Sequence, residues 1–230
     1  MFPLSTDEWL AIELSLRVAF WSICFSLPFA LFFAWLLARR NFFGKTLVDG
    51  LIHLPLVLPP VAIGYVLLIM LGRKGLIGEW LYEVLGVSVA FKWEGAAIAS
   101  AVMGFPLMVR AIRLSLETVD QGLEKAARTL RAGPIRVFLT ITLPLISPGI
   151  LTGVILGFAR SLGEFGATIT FVSNIPGETR TLPLALYTFT QVPGGDAMAI
   201  RLTVIAVVLA LLSLFVSEFL ARRIRARLGG

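Results

Sequence analysis

Long apolar runs alternate along the chain with short clusters of charge, and the runs have the length of membrane-crossing helices. Val18 to Ala38 is free of Asp, Glu, Lys and Arg for 21 positions, Gly50 to Gly72 for 23 and Val137 to Ala159 for 23. About 20 apolar residues suffice to cross a bilayer as a helix. Two shorter runs, Gly95 to Val109 with 15 residues and Leu202 to Ser217 with 16, reach that length if Phe91, Trp93, Arg110, Glu218 and Arg222 sit at the interfaces with their polar ends in water. The pattern predicts five spans, over about residues 12–38, 48–72, 91–113, 137–160 and 199–221. Phe165 to Val192 is partly apolar too, but Asn174, Pro176, Glu178, Arg180 and Pro183 interrupt it. Thr181 to Gln191 is therefore expected as a short helix at the membrane surface, or one dipping partway in.

Prolines fall inside nearly every run. Each removes a backbone hydrogen bond, and in lipid the freed carbonyl needs another partner. Pro28 and Pro106 are expected to kink packed helices. Pro55, Pro59 and Pro60 lie within six residues and are expected to open a non-helical segment at membrane depth, suited to the wall of a translocation path.

Strong charge and helical periodicity coincide in one stretch, Asp120 to Pro144. Leu123, Ala126, Ala127 and Leu130 recur at the spacing of one helix face, with Glu124, Lys125, Arg128 and Arg131 on the other. Gly133-Pro134 is expected to end the helix. Periodicity alone allows an amphipathic helix at the membrane surface. It equally allows a docking element whose two alanines let a partner's groove approach closely.

Composition agrees with a bilayer as the solvent: 57% of the 230 residues are hydrophobic and 15% charged, with a mean hydropathy of +0.90. The net charge of +6 does not imply nucleic acid, because Lys and Arg collect on the cytoplasmic side of membrane proteins. With the Asp120 stretch placed inside, 13 Lys and Arg fall inside and 7 outside, which predicts an external amino terminus and a cytoplasmic carboxyl terminus. The first apolar run follows Asp7, Glu8 and Glu13 and is too long for a signal core, so it is expected to be retained. With no internal repeat or linker, residues 1–230 are expected to form a single transmembrane domain. Cys24, the lone cysteine, cannot form an internal disulfide and is expected to pack.

Candidate chemistry is sparse. Gly44-Lys45-Thr46 has the ending of a phosphate-binding loop, but Arg39 stands where the loop needs its first glycine and a membrane span replaces the preceding strand. It is expected to be a turn, and the chain is not expected to bind ATP. His53, the only histidine, is expected to be packed or hydrogen-bonded rather than to ligate a metal. No nucleophile, base and orienter occur together, so no enzyme is expected. At the end of the fourth span, Arg160 and Glu164 are four residues apart and suited to pair. Either they form an interfacial ion pair that ends the helix, or Gly163 and Gly166 allow a bend beside a path to which Ser161 and Thr168 offer hydrogen bonds.

Lys125-Ala126-Ala127, position 131, Ile141 and Leu143-Pro144 follow the order of the EAA loop of ABC importer permeases, which this stretch resembles. Lys125 stands where that family usually has an acid, and Arg131 where it usually has glycine. Leu54 to Tyr65, Gly72 to Gly78, Phe105 to Arg113 and Phe158 to Pro183 extend the resemblance to the molybdate permease subunits of bacterial ABC importers. The resemblance implies an all-α membrane protein with the type I importer permease fold, a homodimer in the inner membrane with the path at its centre. It also implies two cytoplasmic ATPase subunits, which use ATP-Mg, and a periplasmic molybdate-binding protein. The chain itself would hold no cofactor. A coupling helix over about residues 120–134 would meet the ATPase through Glu124, Lys125, Ala126, Ala127, Leu130, Arg131 and Gly133. Pro55, Pro59, Pro60, Ser161, Gly163, Glu164, Gly166 and Thr168 are the pathway and gate candidates. Sulfate and tungstate are the alternatives within the family. A gradient-driven secondary transporter is the alternative outside it, disfavoured by the lack of an inverted repeat or an acidic residue well inside a span.

Overall fold

A computed structural model describes residues 4–227 as helices and short connections. The first helix, α1 (Thr6–Arg39), begins in a capping box: Ser5 Oγ accepts from the Glu8 N–H at 3.3 Å, and the Glu8 carboxylate accepts from the Ser5 N–H at 2.7 Å. Next come α2 (Lys45–Val57), α3 (Pro60–Leu71), α4 (Leu76–Leu85) and α5 (Trp93–Thr118). The polar stretch folds as α6 (Gln121–Thr129) and a single turn, α7 (Pro134–Val137). A π-helical segment, Phe138–Thr142, leads into α8 (Leu143–Leu162), followed by α9 (Gly166–Val172), α10 (Leu182–Thr190) and α11 (Asp196–Arg227).

Four of these stretches are long and apolar enough to span: α1, α5, Pro134–Leu162 and α11. The expected span over 48–72 is instead the pair α2 and α3, bent by 115° at its break. Contacts along the helices show how the chain travels. Arg39, ending α1, meets Glu124 of α6, whereas the Arg17 guanidinium lies 3.9 Å over the ring of Trp93, which begins α5. The chain between Arg39 and Trp93 thus returns from the α6 end to the opposite end, and α5 then runs parallel to α1. Helix α8 is antiparallel to α5, placing Gly149 against Ser115, Gly153 against Met108 and Ile112, and Gly157 against Gly104. Helix α11 starts beside α1's first turns, through Arg201 and Glu8. The amino-terminal end of α1 therefore lies opposite α6.

Helix α10 matches the expected short helix and is held on α1, where the Leu182 N–H donates to Ser15 Oγ at 2.6 Å. Of the expected fifth span, 199–221, residues 217, 218, 220 and 221 have side chains outside the described residues. Cys24 does not pack. It is exposed, near Phe20, Phe25 and Phe29, which also face outward. An apolar run solvated by lipid does not reveal which of its faces is buried, because both are apolar.

One contact was invisible in the pattern. Glu8 is fully buried, and its two carboxylate oxygens accept from Arg201 Nε at 2.9 Å and Nη2 at 3.1 Å, joining α1 to α11. Breaking a buried pair leaves an uncompensated charge, and Arg201 keeps some exposure. Glu8→Ala is expected to cost about 2 kcal/mol and lower the apparent unfolding midpoint in detergent by roughly 4–8 °C. Glu13→Ala, at an exposed position on the same helix, should leave it unchanged.

Candidate functional site

Two helix breaks, residues 58–59 and 163–165, far apart in sequence, meet in space. The first is narrower than three prolines suggest. Pro55 stays inside α2, and the Leu58 N–H still donates to the Leu54 carbonyl at 3.1 Å, so only Leu58 and Pro59 are non-helical. Pro60 takes the first position of α3, where an N–H would have no intrahelical partner. The second break is Gly163–Phe165, between α8 and α9. A Cβ added to Gly166 would lie 2.8 Å from the Pro60 Cβ, and one added to Gly64 only 2.5 Å from the Ala167 carbonyl oxygen. Glycine at both positions lets α3 and α9 touch backbone to side chain. Pro59 and Gly163, in the two breaks, are exposed.

Glu164 is buried inside the second break. One oxygen accepts from the Ala167 N–H at 2.8 Å, capping the start of α9, and the other pairs with Arg160 Nη1 at 2.6 Å. The pair predicted from the spacing forms even though α8 does not continue to Glu164. Thr168 is buried on α9, its hydroxyl without a hydrogen-bond partner among the described residues. Ser161 is not part of the cluster, because its hydroxyl accepts from Ser22 Oγ at 3.1 Å between α8 and α1. Pro55 also lies apart, on an apolar groove between α1, α2 and α5 with Phe29 and Phe105. The structure thus gathers Pro59, Pro60, Gly163, Glu164 and Gly166.

Helix α6 stands off the body with no buried residue. Asp120 caps it, accepting from the Gly122 N–H at 2.7 Å. It ends earlier than Gly133-Pro134: the Ala132 N–H donates to the Ala127 carbonyl at 3.2 Å and the Arg131 N–H to the Arg128 carbonyl at 3.0 Å. That is a Schellman closure, whose left-handed position favours glycine. Arg131 occupies it with φ of 63°, which explains why glycine is usual there in the family the loop resembles. Leu130 consequently leaves the helix face, and Gly133 instead precedes α7. Leu123, Leu130 and Ile135 are 48%, 84% and 74% exposed, so this corner offers apolar side chains that none of the described residues covers. Lys125, Ala126, Arg128 and Arg131 are exposed with them, and Ala127 is half-buried. Glu124 points the other way, accepting from Arg39 Nη2 at 3.1 Å and Thr142 Oγ1 at 2.9 Å.

Gly44 forms the expected turn, with φ of 84°. His53 Nδ1 sits 2.8 Å from the Asp49 carbonyl oxygen one turn back. Asp49 also pairs with Arg113 at 3.1 Å, fastening α2 to α5. Spacing gave no sign of this contact, which lies between segments 64 residues apart.

The chain is 62% identical over 226 residues to the molybdenum transport system permease protein ModB of Escherichia coli K12, covering 98% of this chain and 99% of the relative. It is 61% identical to ModB of Haemophilus influenzae, over 95% and 96% of the two chains. A bacterial ABC transporter involved in the import of the acidic polysaccharide alginate contains a chain of the same fold, with a TM-score of 0.76 at 18% identity, covering 96% of this chain and 80% of that one. The fold is that of type I ABC importer permeases. Residues 26–226 match the family model for the inner membrane component of binding-protein-dependent transport systems, and the chain belongs to that family.

Proposed function

We propose that this chain is the channel-forming subunit of an ATP-driven molybdate importer, working as a homodimer with two cytoplasmic ATPase subunits and a periplasmic binding protein. The observation that carries this reading is a mechanical line. An exposed helix with uncovered apolar side chains, α6, leads through α7 and the π-helical segment into α8, and α8 ends at the meeting of the two breaks. The ATPases use ATP-Mg. This chain supplies the lever and the gate. Relatives more than 60% identical over almost the whole chain carry molybdenum in their names, which supports molybdate as the cargo.

The excess of Lys and Arg toward the α6 end supports a cytoplasmic α6 and an external amino terminus. Leu51, Val57, Val61 and Tyr65 on α2 and α3 are 59%, 81%, 54% and 58% exposed, a surface suited to the second copy. Lys125, Ala126, Ala127, Leu130 and Arg131, with Gly133 at the following turn, present the ATPase contact. When the ATPases close they push α6. Helix α8 slides on α5 along its glycines, a shear motion of packed helices, and shifts Gly163–Phe165 against Pro59 and Pro60. Hydroxyls and backbone groups along the opened path suit a dianion that must be released again.

The test is uptake of radiolabelled molybdate into proteoliposomes holding permease and ATPase subunits, with binding protein added outside. Uptake should require internal ATP and resist excess sulfate. Uptake that ignores ATP, or that sulfate abolishes, would overturn the assignment. Ala127→Glu is expected to reduce co-purification of the ATPase subunit about tenfold, a loss of 1.4 kcal/mol at a contact needing a small side chain. Glu164→Gln keeps an acceptor for the Ala167 N–H but removes the charge facing Arg160. It should leave the assembly intact and slow uptake about tenfold.

A further inference from the structure

Helix α6 has nine residues, none of them buried, and an isolated helix so short does not hold itself in place in water. What fastens it is Glu124. A single oxygen, Oε1, accepts from Arg39 Nη2 at the end of α1 and from Thr142 Oγ1 at the end of the π-helical segment. The Arg39 and Glu124 side chains are only 11% and 14% exposed, so salt screens the pair little. Thr142 is buried, and π-helical turns inside α-helices often mark functional sites.

We infer that Glu124 is a positioning residue rather than part of the partner-facing surface: a strut that makes α6, α1 and the start of α8 move as one body. Along the chain, α6 reaches the continuous run of α7, the π-helical segment and α8 only through the turn at Leu130–Gly133, a connection that would let α6 swing without moving α8. The carboxylate bridges that joint from behind. It also adds α1, which the chain does not link to α6 directly, to the elements that a push on α6 displaces. Among the described residues, Arg39 Nε is buried without a hydrogen-bond partner. It is a spare donor that a shifted Glu124 can take, so the strut has a second arrangement available without releasing Arg39. Two discrete arrangements of one contact are what a coupling element requires.

The inference rests on the importer reading above, and the complete complex in proteoliposomes tests the two separately. Wild-type complex must show ATP-dependent molybdate uptake; its failure to do so overturns the importer reading and this inference with it. In Glu124→Ala and Thr142→Val the ATPase subunit should co-purify at the wild-type level, while the ATP hydrolysed per molybdate taken up rises about tenfold. Alanine favours helix and valine nearly matches threonine in shape, so both changes keep the helical backbone; Glu124→Ala also leaves the Arg39 charge unpaired, which the double variant relieves. Arg39→Gln combined with Glu124→Ala should be no worse than Glu124→Ala alone, because both act through one bond. A wild-type ratio in Glu124→Ala overturns the strut. So does loss of co-purification in that variant, which would return Glu124 to the partner surface, and so do multiplying losses in the double variant.

Discussion

A polypeptide that leaves helical geometry inside a bilayer must find partners within the protein for the backbone groups it exposes. This chain leaves it twice, and its architecture follows from how those groups are satisfied. At the first break the Ala62 N–H donates to the Pro59 carbonyl at 2.9 Å, and proline itself brings no N–H to lose. At the second, the Glu164 N–H donates to the Ser161 carbonyl at 3.2 Å and the Glu164 side chain takes the Ala167 N–H. Glycine at positions 64 and 166 then lets α3 and α9 pack closely beside the two breaks.

Ionic contacts hold the rest of the frame, and each has a position suited to its task. Glu8–Arg201 closes α1 onto α11 at the end opposite α6, and Arg39–Glu124 closes α1 onto α6. Arg160–Glu164 bridges the joint between α8 and α9. Pairs that break even against apolar packing in stability nevertheless fix geometry. In a body whose surfaces are apolar on every side, such geometric anchors define which helix faces meet.

The resulting molecule is a bundle of α1, α5 and α8 with two smaller attachments. At one end α6 projects on a Schellman turn that places Arg131 in a backbone conformation costly for a side chain. Near the other end, short α9 and α3 meet at glycine. A force on the first attachment reaches the second through a single continuous run, Pro134–Leu162.

Much of this was legible in the sequence. Apolar runs set the spans, because the thickness of the hydrocarbon layer dictates their length. The spacing of Leu123, Ala126 and Ala127 among charges set α6, and the four-residue interval set the Arg160–Glu164 pair. The motif around residues 125–144 also marked Arg131 as unusual, and the positive φ there supplies the reason. Tertiary structure alone decided which faces are inside. In lipid the apolar residues of α1 look alike whether they pack or not, so Cys24 was misplaced by pattern, and the buried pairing of Glu8 left no trace in it. It alone brought the 58–59 and 163–165 breaks together, turned Glu124 inward and set Ser161 against Ser22, since each depends on contacts between segments far apart in the chain. Periodicity reports the local geometry of a helix, whereas the choice of neighbour depends on shape and on the pairing of a few buried polar groups.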